Sequence, residues 1–325
     1  MNRRTVGGLV LAAVTAVSLA GCAASDSSGG AKKGYTIGLV MLQGDEYYNK
    51  IQSGLKAAVE ADGGTVIAAN SNNDAAAEAS VVQNMIQRKV DAILMQPISV
   101  EGSLATMKQV AAAKIPLICY GNCSGPAVDP KNVQGAVQSD NTALGTGTGK
   151  AAAAYIKAKL NGEAKIGVLN CDAAAEVCKM RKAGFKKALD DAGVKVDYVA
   201  DQEGFLADKA TPIATNMLSA HPEITLLWSA NEGGTIGEVT AVKQAGKQIP
   251  VFGTDISEQL AGFVIAGENI LQATTGQDPV KTSELAYAQA KNVISKQQNN
   301  PLEVLVPGIT YDRAEPAAVT KYLGK

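Results

Sequence analysis

The sequence predicts an α/β protein built from two similar lobes, each a doubly wound parallel sheet, joined by a hinge that the chain crosses more than once. Three observations lead there. From Tyr35 onward, short apolar runs of strand character alternate with amphipathic helical segments, the pattern of a parallel sheet covered by helices on both faces. The pattern then restarts at a constant offset: Gly38 and Gly167 lie 129 residues apart, Gly54 and Gly184 130, Gly63 and Gly193 130. Finally, a long helical segment at 280–296 follows the completed second half. It suits a first half that is one helix short, so the chain must return to it.

Each element has a local reason. Residues 35–41 form a β-rich run, and 49–62 repeat apolar residues at helical spacing (Ile51, Leu55, Ala58, Val59). Gly63-Gly64 stops that helix before a strand at 65–69. Residues 74–89 carry Val81, Val82, Met85 and Ile86 on one helical face; 92–95 form a strand ended by Pro97; 103–113 form a helix and 116–120 a strand. In the second half, Ile166-Gly167-Val168-Leu169 echoes Ile37-Gly38-Leu39-Val40. Gly184-Phe185-Lys186-Lys187-Ala188 echoes Gly54-Leu55-Lys56-Ala57-Ala58, and Gly193-Val194-Lys195-Val196 echoes Gly63-Gly64-Thr65-Val66. Strands follow at 226–228, 251–253 and 270–274, with helices at 211–219, 236–244 and 257–266 between and after them.

The amino-terminal residues carry an address. Arg3 and Arg4 precede an almost uncharged stretch that ends in Leu19-Ala20-Gly21-Cys22. A positive start, a short apolar middle and small exit residues describe a secretory signal. The run is too short for a comfortable membrane span. Ser25-Asp26-Ser27-Ser28-Gly29-Gly30 follows as a polar, flexible tether. Residues 1–22 are therefore read as signal, 23–34 as tether, 35–139 with 277–304 as the first lobe, and 140–276 with 305–325 as the second. An ordinary signal peptide that happens to contain a Cys is the competing reading.

Composition narrows the function. Net charge is −1, so nothing electrostatic points to nucleic acid or an anionic membrane face. Aromatics are 4% of the chain, so each one near a pocket counts. Four cysteines remain beyond Cys22: Cys119, Cys123, Cys171 and Cys178. Four allow three pairings, and disulfides persist in an exported chain. Local bridges, Cys119–Cys123 and Cys171–Cys178, are preferred over a zinc site using all four, whose usual spacings are tighter.

Ligands of open parallel sheets bind at the carboxyl ends of the strands. Here those ends are 43–48, 96–99, 121–124, 170–179, 231–234, 255–258 and 275–278, rich in amides, carboxylates and aromatics. Such groups read hydroxyls. The parts of a catalyst are missing from the sequence. The only histidine, His221, precedes Pro222 at a helix end, and no Gly-x-Ser-x-Gly elbow occurs. Gly145-Thr146-Gly147-Thr148-Gly149-Lys150 lacks the phosphate-loop spacing and reads as close helix packing. No enzyme activity and no cofactor or metal is expected.

At these loops the chain resembles the periplasmic sugar-binding proteins of the ribose-binding type, with the type I periplasmic-binding-protein fold, over residues 35–311. Asp45-Glu46-Tyr47-Tyr48 lies where the family has Asn or Asp before two ring-stacking aromatics. Ser139-Asp140-Asn141 matches its Ser-Asp-Asn at the first hinge crossing. His221-Pro222-Glu223, the strand after it and Asn231 match a helix, strand and pocket Asn. Phe252-Gly253-Thr254-Asp255 matches a strand ending in a ligand Asp; Gln277 and Phe205 stand at a pocket Gln and a further aromatic. Small residues ending in Cys22 likewise resemble the bacterial lipobox, implying cleavage before Cys22 and acylation of its thiol.

Two departures stand out. Where the family often has Asp-Arg after the strand ending at Tyr120, this chain has Gly121-Asn122, so a carboxylate–guanidinium clamp is missing there. Where Arg is common at the start of the second-lobe helix, Lys179 stands. The resemblance implies an extracytoplasmic, membrane-anchored, monomeric solute-binding lipoprotein that hands a small sugar or polyol to an ABC permease with its ATPase. The expected ligand set is Asp45, Tyr47, Tyr48, Gln96, Asn122, Ser139, Lys179, Phe205, Asn231, Asp255 and Gln277. A sensor presenting its ligand to a membrane receptor is the alternative.

Overall fold

Among the residues described by the computed structural model (34–44, 46–99, 101–123, 129–171 and 175–324), two six-stranded sheets organise the chain. The leader with Cys22, the tether up to Lys33, and Asp45 lie outside the described residues. The first sheet contains β1 (Thr36–Met41), β2 (Thr65–Asn70), β3 (Ala92–Met95), β4 (Leu117–Tyr120), β5 (Gly135–Ser139) and, from late in the chain, β11 (Glu303–Val306). Their order is β11-β5-β4-β3-β1-β2, parallel throughout. Helices α1 (Glu46–Ala61), α2 (Ala75–Gln87), α3 (Leu104–Ala112) and the late α9 (Pro279–Ile294) belong to this half.

The second sheet contains β6 (Glu163–Asn170), β7 (Lys195–Glu203), β8 (Leu226–Ser229), β9 (Val251–Thr254), β10 (Leu271–Gly276) and β12 (Ile309–Asp312). Its order is β12-β10-β9-β8-β6-β7, with β12 alone antiparallel. Around it lie α4 (Asn141–Lys159), α5 (Glu176–Asp191), α6 (Ala207–Ala220), α7 (Glu232–Gln244), α8 (Glu258–Ile265) and the short α10 (Ala317–Tyr322). The chain passes between the sheets at β5–α4, β10–α9 and β11–β12.

The residues explain the architecture. β3, β4, β8 and β9 are buried at every position, as helices on both faces require. Alternation assigns side chains to faces. Leu39 packs with Ile51 and Tyr287, whereas Val40 packs with Val82 and Met107. In the second sheet Leu227 packs with Ala214 and Val239, and Trp228 stacks on Phe185 at 4.4 Å between centroids. Helix starts are capped by Asp74, Asp140, Asn231, Ser257 and Asp278, each accepting a backbone N–H of its first turn. Such caps contribute about 1 kcal/mol each.

Helix α6 begins at Ala207, four residues before the expected 211, and carries Pro212 inside it. The Thr211 hydroxyl donates to the Ala207 carbonyl at 2.8 Å, and Pro212 has no N–H to offer the Asp208 carbonyl one turn back. Strands β5, β11 and β12 and helix α10 were not expected from the sequence. All are short, and half of β11 is exposed.

One buried group works against stability. Glu238 on α7 is fully buried, and neither carboxylate oxygen has a hydrogen-bond partner among the described residues. Burial pushes its carboxyl well above the usual value of 4.5. The native state thus keeps a proton that the unfolded chain releases above about 4.5, so stability falls as pH climbs from there toward the raised value. Glu238→Met is expected to stabilise by about 1–3 kcal/mol at pH 7, the cost of an unsatisfied buried polar group. Its advantage should shrink below pH 4.5; guanidinium unfolding at pH 4 and pH 7 checks both points.

Candidate functional site

A cleft of about 1150 Å³ is lined from both sheets, by residues at the carboxyl ends of their strands and by neighbouring helices. Its second-lobe wall is organised by one guanidinium. Arg181, on α5, is 8% exposed. Its Nε donates to Asn141 Oδ1 at 3.0 Å, and its Nη1 donates to the Ala230 carbonyl and to Asp255 Oδ2, both at 3.0 Å.

Asp255 follows β9 with φ of 73°, a left-handed conformation that Asp tolerates better than most residues. The shape is fixed on both sides: its N–H donates to the Thr275 carbonyl at 2.9 Å and its carbonyl accepts the Thr274 hydroxyl at 2.6 Å. Its carboxylate also accepts the Glu232 N–H at 3.3 Å and Gln277 Nε2 at 3.2 Å. Gln277 Oε1 accepts the Ser139 hydroxyl at 2.8 Å. The network Ser139–Gln277–Asp255–Arg181–Asn141 thus ties together two of the three crossings between the sheets.

Helix packing places that guanidinium. α5 lies so close on α4 that a Cβ at Gly145 would sit 1.8 Å from the Arg181 carbonyl oxygen, and one at Gly184 2.1 Å from that of Thr142. The glycine run of α4 is therefore a close-packing surface, as expected. It advances Arg181 to the cleft.

The first-lobe wall is uncharged where the family clamp would stand. Gly121, at φ of 77°, leaves space that the Gln96 carboxamide fills: a Cβ there would be 2.3 Å from Gln96 Oε1. That oxygen is buried without a partner among the described residues, an acceptor awaiting a donor. Tyr47 and Tyr48 line the same wall with rings at right angles, 5.1 Å between centroids. Tyr48 is also part of the core beneath. Disulfides hold a loop on each wall. Cys119–Cys123 closes the turn carrying Gly121 and Asn122, and Cys171–Cys178 brackets Ala175, Glu176 and Val177.

The structure brings Tyr47, Tyr48, Gln96, Asn122, Ser139, Asp255 and Gln277 to the cleft. It does not bring Lys179, Phe205 or Asn231 there. Lys179 is half-exposed and pairs with Glu176 at 3.7 Å. The reason is helical phase: residues two apart point about 200° apart, and Arg181 takes the inward side. Phe205 is 59% exposed. Asn231 is consumed locally, accepting the Gly234 N–H and donating to the Phe205 carbonyl at 2.7 Å. Arg181 escaped the sequence reading, although it shares a helical face with Cys178, Gly184, Phe185 and Ala188, all buried. A charged residue inside an apolar stripe was the available signal.

The chemistry of this wall is hydrogen bonding. Ser139 donates to an amide oxygen, which cannot take its proton. His221, after α6, faces Glu223 at 3.3 Å and does not line the cleft.

Comparison with known proteins bears on the family and the fold. The chain is 32% identical over 290 residues to an ABC transporter periplasmic-binding protein of Escherichia coli K12, covering 88% of each. It is 27% identical over 273 residues to the ribose import binding protein of Bacillus subtilis 168, covering 83% and 85%. A periplasmic solute-binding protein of Actinobacillus succinogenes with bound D-allose superposes with a TM-score of 0.76 at 25% identity, covering 87% of this chain and 99% of that one. Residues 37–298 match the periplasmic binding protein domain, and the chain belongs to that family.

Proposed function

We propose that this protein captures a small neutral sugar or polyol in its cleft and delivers it to an ABC transporter permease with its ATPase. The Arg181–Asp255–Gln277–Ser139 network carries the reading: donors and acceptors fixed by one another, set between two sheets, and joined to the crossings that would flex on closure. Similarity to a ribose import binding protein and to an allose-bound structure supports a sugar. In this reading Arg181, Asp255, Gln277, Ser139, Gln96 and Asn122 contact hydroxyls, and the rings of Tyr47 and Tyr48 cover a C–H face. Asp45 stays in the set on the strength of the resemblance. Lys179 and Phe205 leave it, and Asn231 serves by holding the start of α7.

The remaining parts of the reading concern placement. Residues 1–22 act as a lipoprotein signal and Cys22 carries the lipid. Residues 23–34 form the tether, 35–139 with 277–304 one lobe and 140–276 with 305–325 the other. The protein works as an extracytoplasmic monomer with no nucleic-acid partner and no catalytic step. Cys22→Ser is expected to move the protein from the membrane to the soluble fraction, read by immunoblot.

A thermal-shift panel of D-ribose, D-allose, xylitol and myo-inositol tests the binding reading. A true ligand at about a hundredfold excess over its dissociation constant adds about 2.7 kcal/mol. Stabilisation only by anionic sugars, with none by neutral ones, would sink it.

A further inference from the structure

The cleft changes character just past its polar wall. Ile256 follows Asp255 directly, and Pro279 and Val280 come soon after Gln277. Ile309, Ala318 and Tyr322 complete this part of the lining. The pairing of β10 with β12 sets Ile309 opposite Gly276. Gly276 has no side chain to fill the space beside it: a Cβ there would lie 2.3 Å from Ile256 Cγ2. Ile256, Ala318 and Tyr322 pack, partly buried, against one second-lobe core. From the first lobe, α9 starts so close to α1 that a Cβ at Gly54 would lie 3.2 Å from Val280 Cα. The methyl groups of Val280 and Ile309 reach the cleft surface, the two residues being 41% and 38% exposed.

Polar groups beside these side chains are already engaged with one another. The Tyr322 hydroxyl donates to Glu46 Oε1, and Lys50 Nζ pairs with the same oxygen at 2.7 Å. Asp278 Oδ1 accepts the Lys281 N–H at 2.9 Å as the cap of α9. The Thr310 and Thr275 hydroxyls meet at 3.1 Å. Lys321, which also lines the cleft, is exposed. A sugar hydroxyl buried against Ile256, Val280 and Ile309 would give up water without gaining a partner, which costs free energy. C–H surface placed there would gain, about fourfold in affinity for each methylene covered.

We propose that the solute is a glycoside, with its hydroxylated ring on the Arg181–Asp255–Gln277–Ser139 wall and an apolar aglycone against Ile256, Val280 and Ile309. The proposal rests on the sugar reading of the polar wall. Continuity argues for one occupant of both parts. Asp255 and Ile256 are neighbours in the chain, and Val280 lies in the helix turn that Gln277 and Asp278 lead into. A group joined to a ring on the polar wall therefore reaches the apolar part without a long spacer. A glycosidic bond supplies that join. It spends one hydroxyl, keeps its oxygen as an acceptor and leaves the other hydroxyls for the network. A second sugar unit fits less well, because it would bring hydroxyls to side chains that cannot answer them.

Calorimetry with D-ribose, D-allose and the methyl and phenyl glycosides of each, in both anomeric forms, tests it. For a sugar that binds, the better phenyl anomer is expected to bind about tenfold tighter or more than the free sugar, with the methyl glycoside between them. Val280→Thr and Ile309→Thr keep β-branching and put a hydroxyl among the methyl groups. Each should remove about threefold or more of the phenyl advantage and leave free-sugar affinity unchanged. Ile265→Thr is the control, at a similarly exposed residue (43%) of α8 that does not line the cleft; it should change neither. Phenyl glycosides no tighter than the free sugar overturn the aglycone site. So does a phenyl advantage that survives both cleft substitutions, or a loss shared equally by free sugar and glycoside. Failure of every free sugar and every glycoside to bind would instead overturn the sugar reading of the polar wall, and the aglycone site with it.

Discussion

Asp255→Asn is expected to weaken solute binding at least a hundredfold, about 2.7 kcal/mol on the scale where 1.4 kcal/mol is tenfold. The substitution keeps a side chain that tolerates φ of 73°, so backbone strain is not the cause. It removes the charge facing Arg181, whose side chain is 9% exposed. Breaking a buried pair by removing one partner typically costs about 3–5 kcal/mol of stability. Asp255 is 19% exposed, which places this case near the low end. Binding suffers more than folding, because the carboxylate also orients Gln277 and, through it, Ser139. Arg181→Lys should lose at least tenfold in affinity while the charge persists, since a point charge cannot serve Asn141, Ala230 and Asp255 at once. Calorimetry against the stabilising solute reads both. Unchanged affinity in Asp255→Asn would remove the carboxylate from the site.

Gly145→Ala is the second large effect. The new Cβ would lie 1.8 Å from the Arg181 carbonyl oxygen and 2.8 Å from the Phe185 nitrogen. Both are backbone atoms, so no rotamer change relieves the clash and α5 must move away from α4. Overpacking of this kind costs about 1–3 kcal/mol and occasionally more, only partly offset by the roughly 1 kcal/mol helix preference of Ala over Gly. We expect a net loss of about 2 kcal/mol in chemical denaturation. Affinity should fall with it, because Arg181 is carried on the displaced helix. Gly262→Ala provides the contrast: it lies on α8, and its added Cβ meets nothing within 4 Å. That change should be neutral or stabilise by up to about 1 kcal/mol. A Gly145→Ala protein as stable as wild type would mean that the α4–α5 contact yields easily.

Much of the architecture was legible because it repeats. The near-constant offset between Gly38 and Gly167, Gly54 and Gly184, and Gly63 and Gly193 marked two copies of one strand–helix unit. The late helix at 280–296 pointed to a return crossing, and α9 packs on α1 of the first half. The short strands β11 and β12 were missed because neither completes a period. Each borrows its order from a neighbour, β11 from β5 and β12 from β10.

The candidate site divided along a different line. Residues just beyond strand ends, such as Asp255, Gln96 and Gln277, could be read from the sequence, since the carboxyl end of a parallel strand faces the ligand crevice whatever surrounds it. Residues on helices could not, because one turn holds several faces and only packing selects among them. Lys179 and Arg181 are both cations near the start of α5. The approach of Gly145 and Gly184 fixed the rotation of that helix, turning Arg181 inward and leaving Lys179 to solvent. Asn231 shows the same limit. Its identity suited a pocket, but a helix start needed its oxygen first. The sequence by itself determined the two-lobed α/β pattern and the polar strand ends, and it favoured two local cysteine pairs, which the structure forms. Tertiary structure alone decided which cation enters the cleft and which polar groups remain available there. Those choices depend on helix phase and on competition for hydrogen bonds, and both are settled only when the lobes pack.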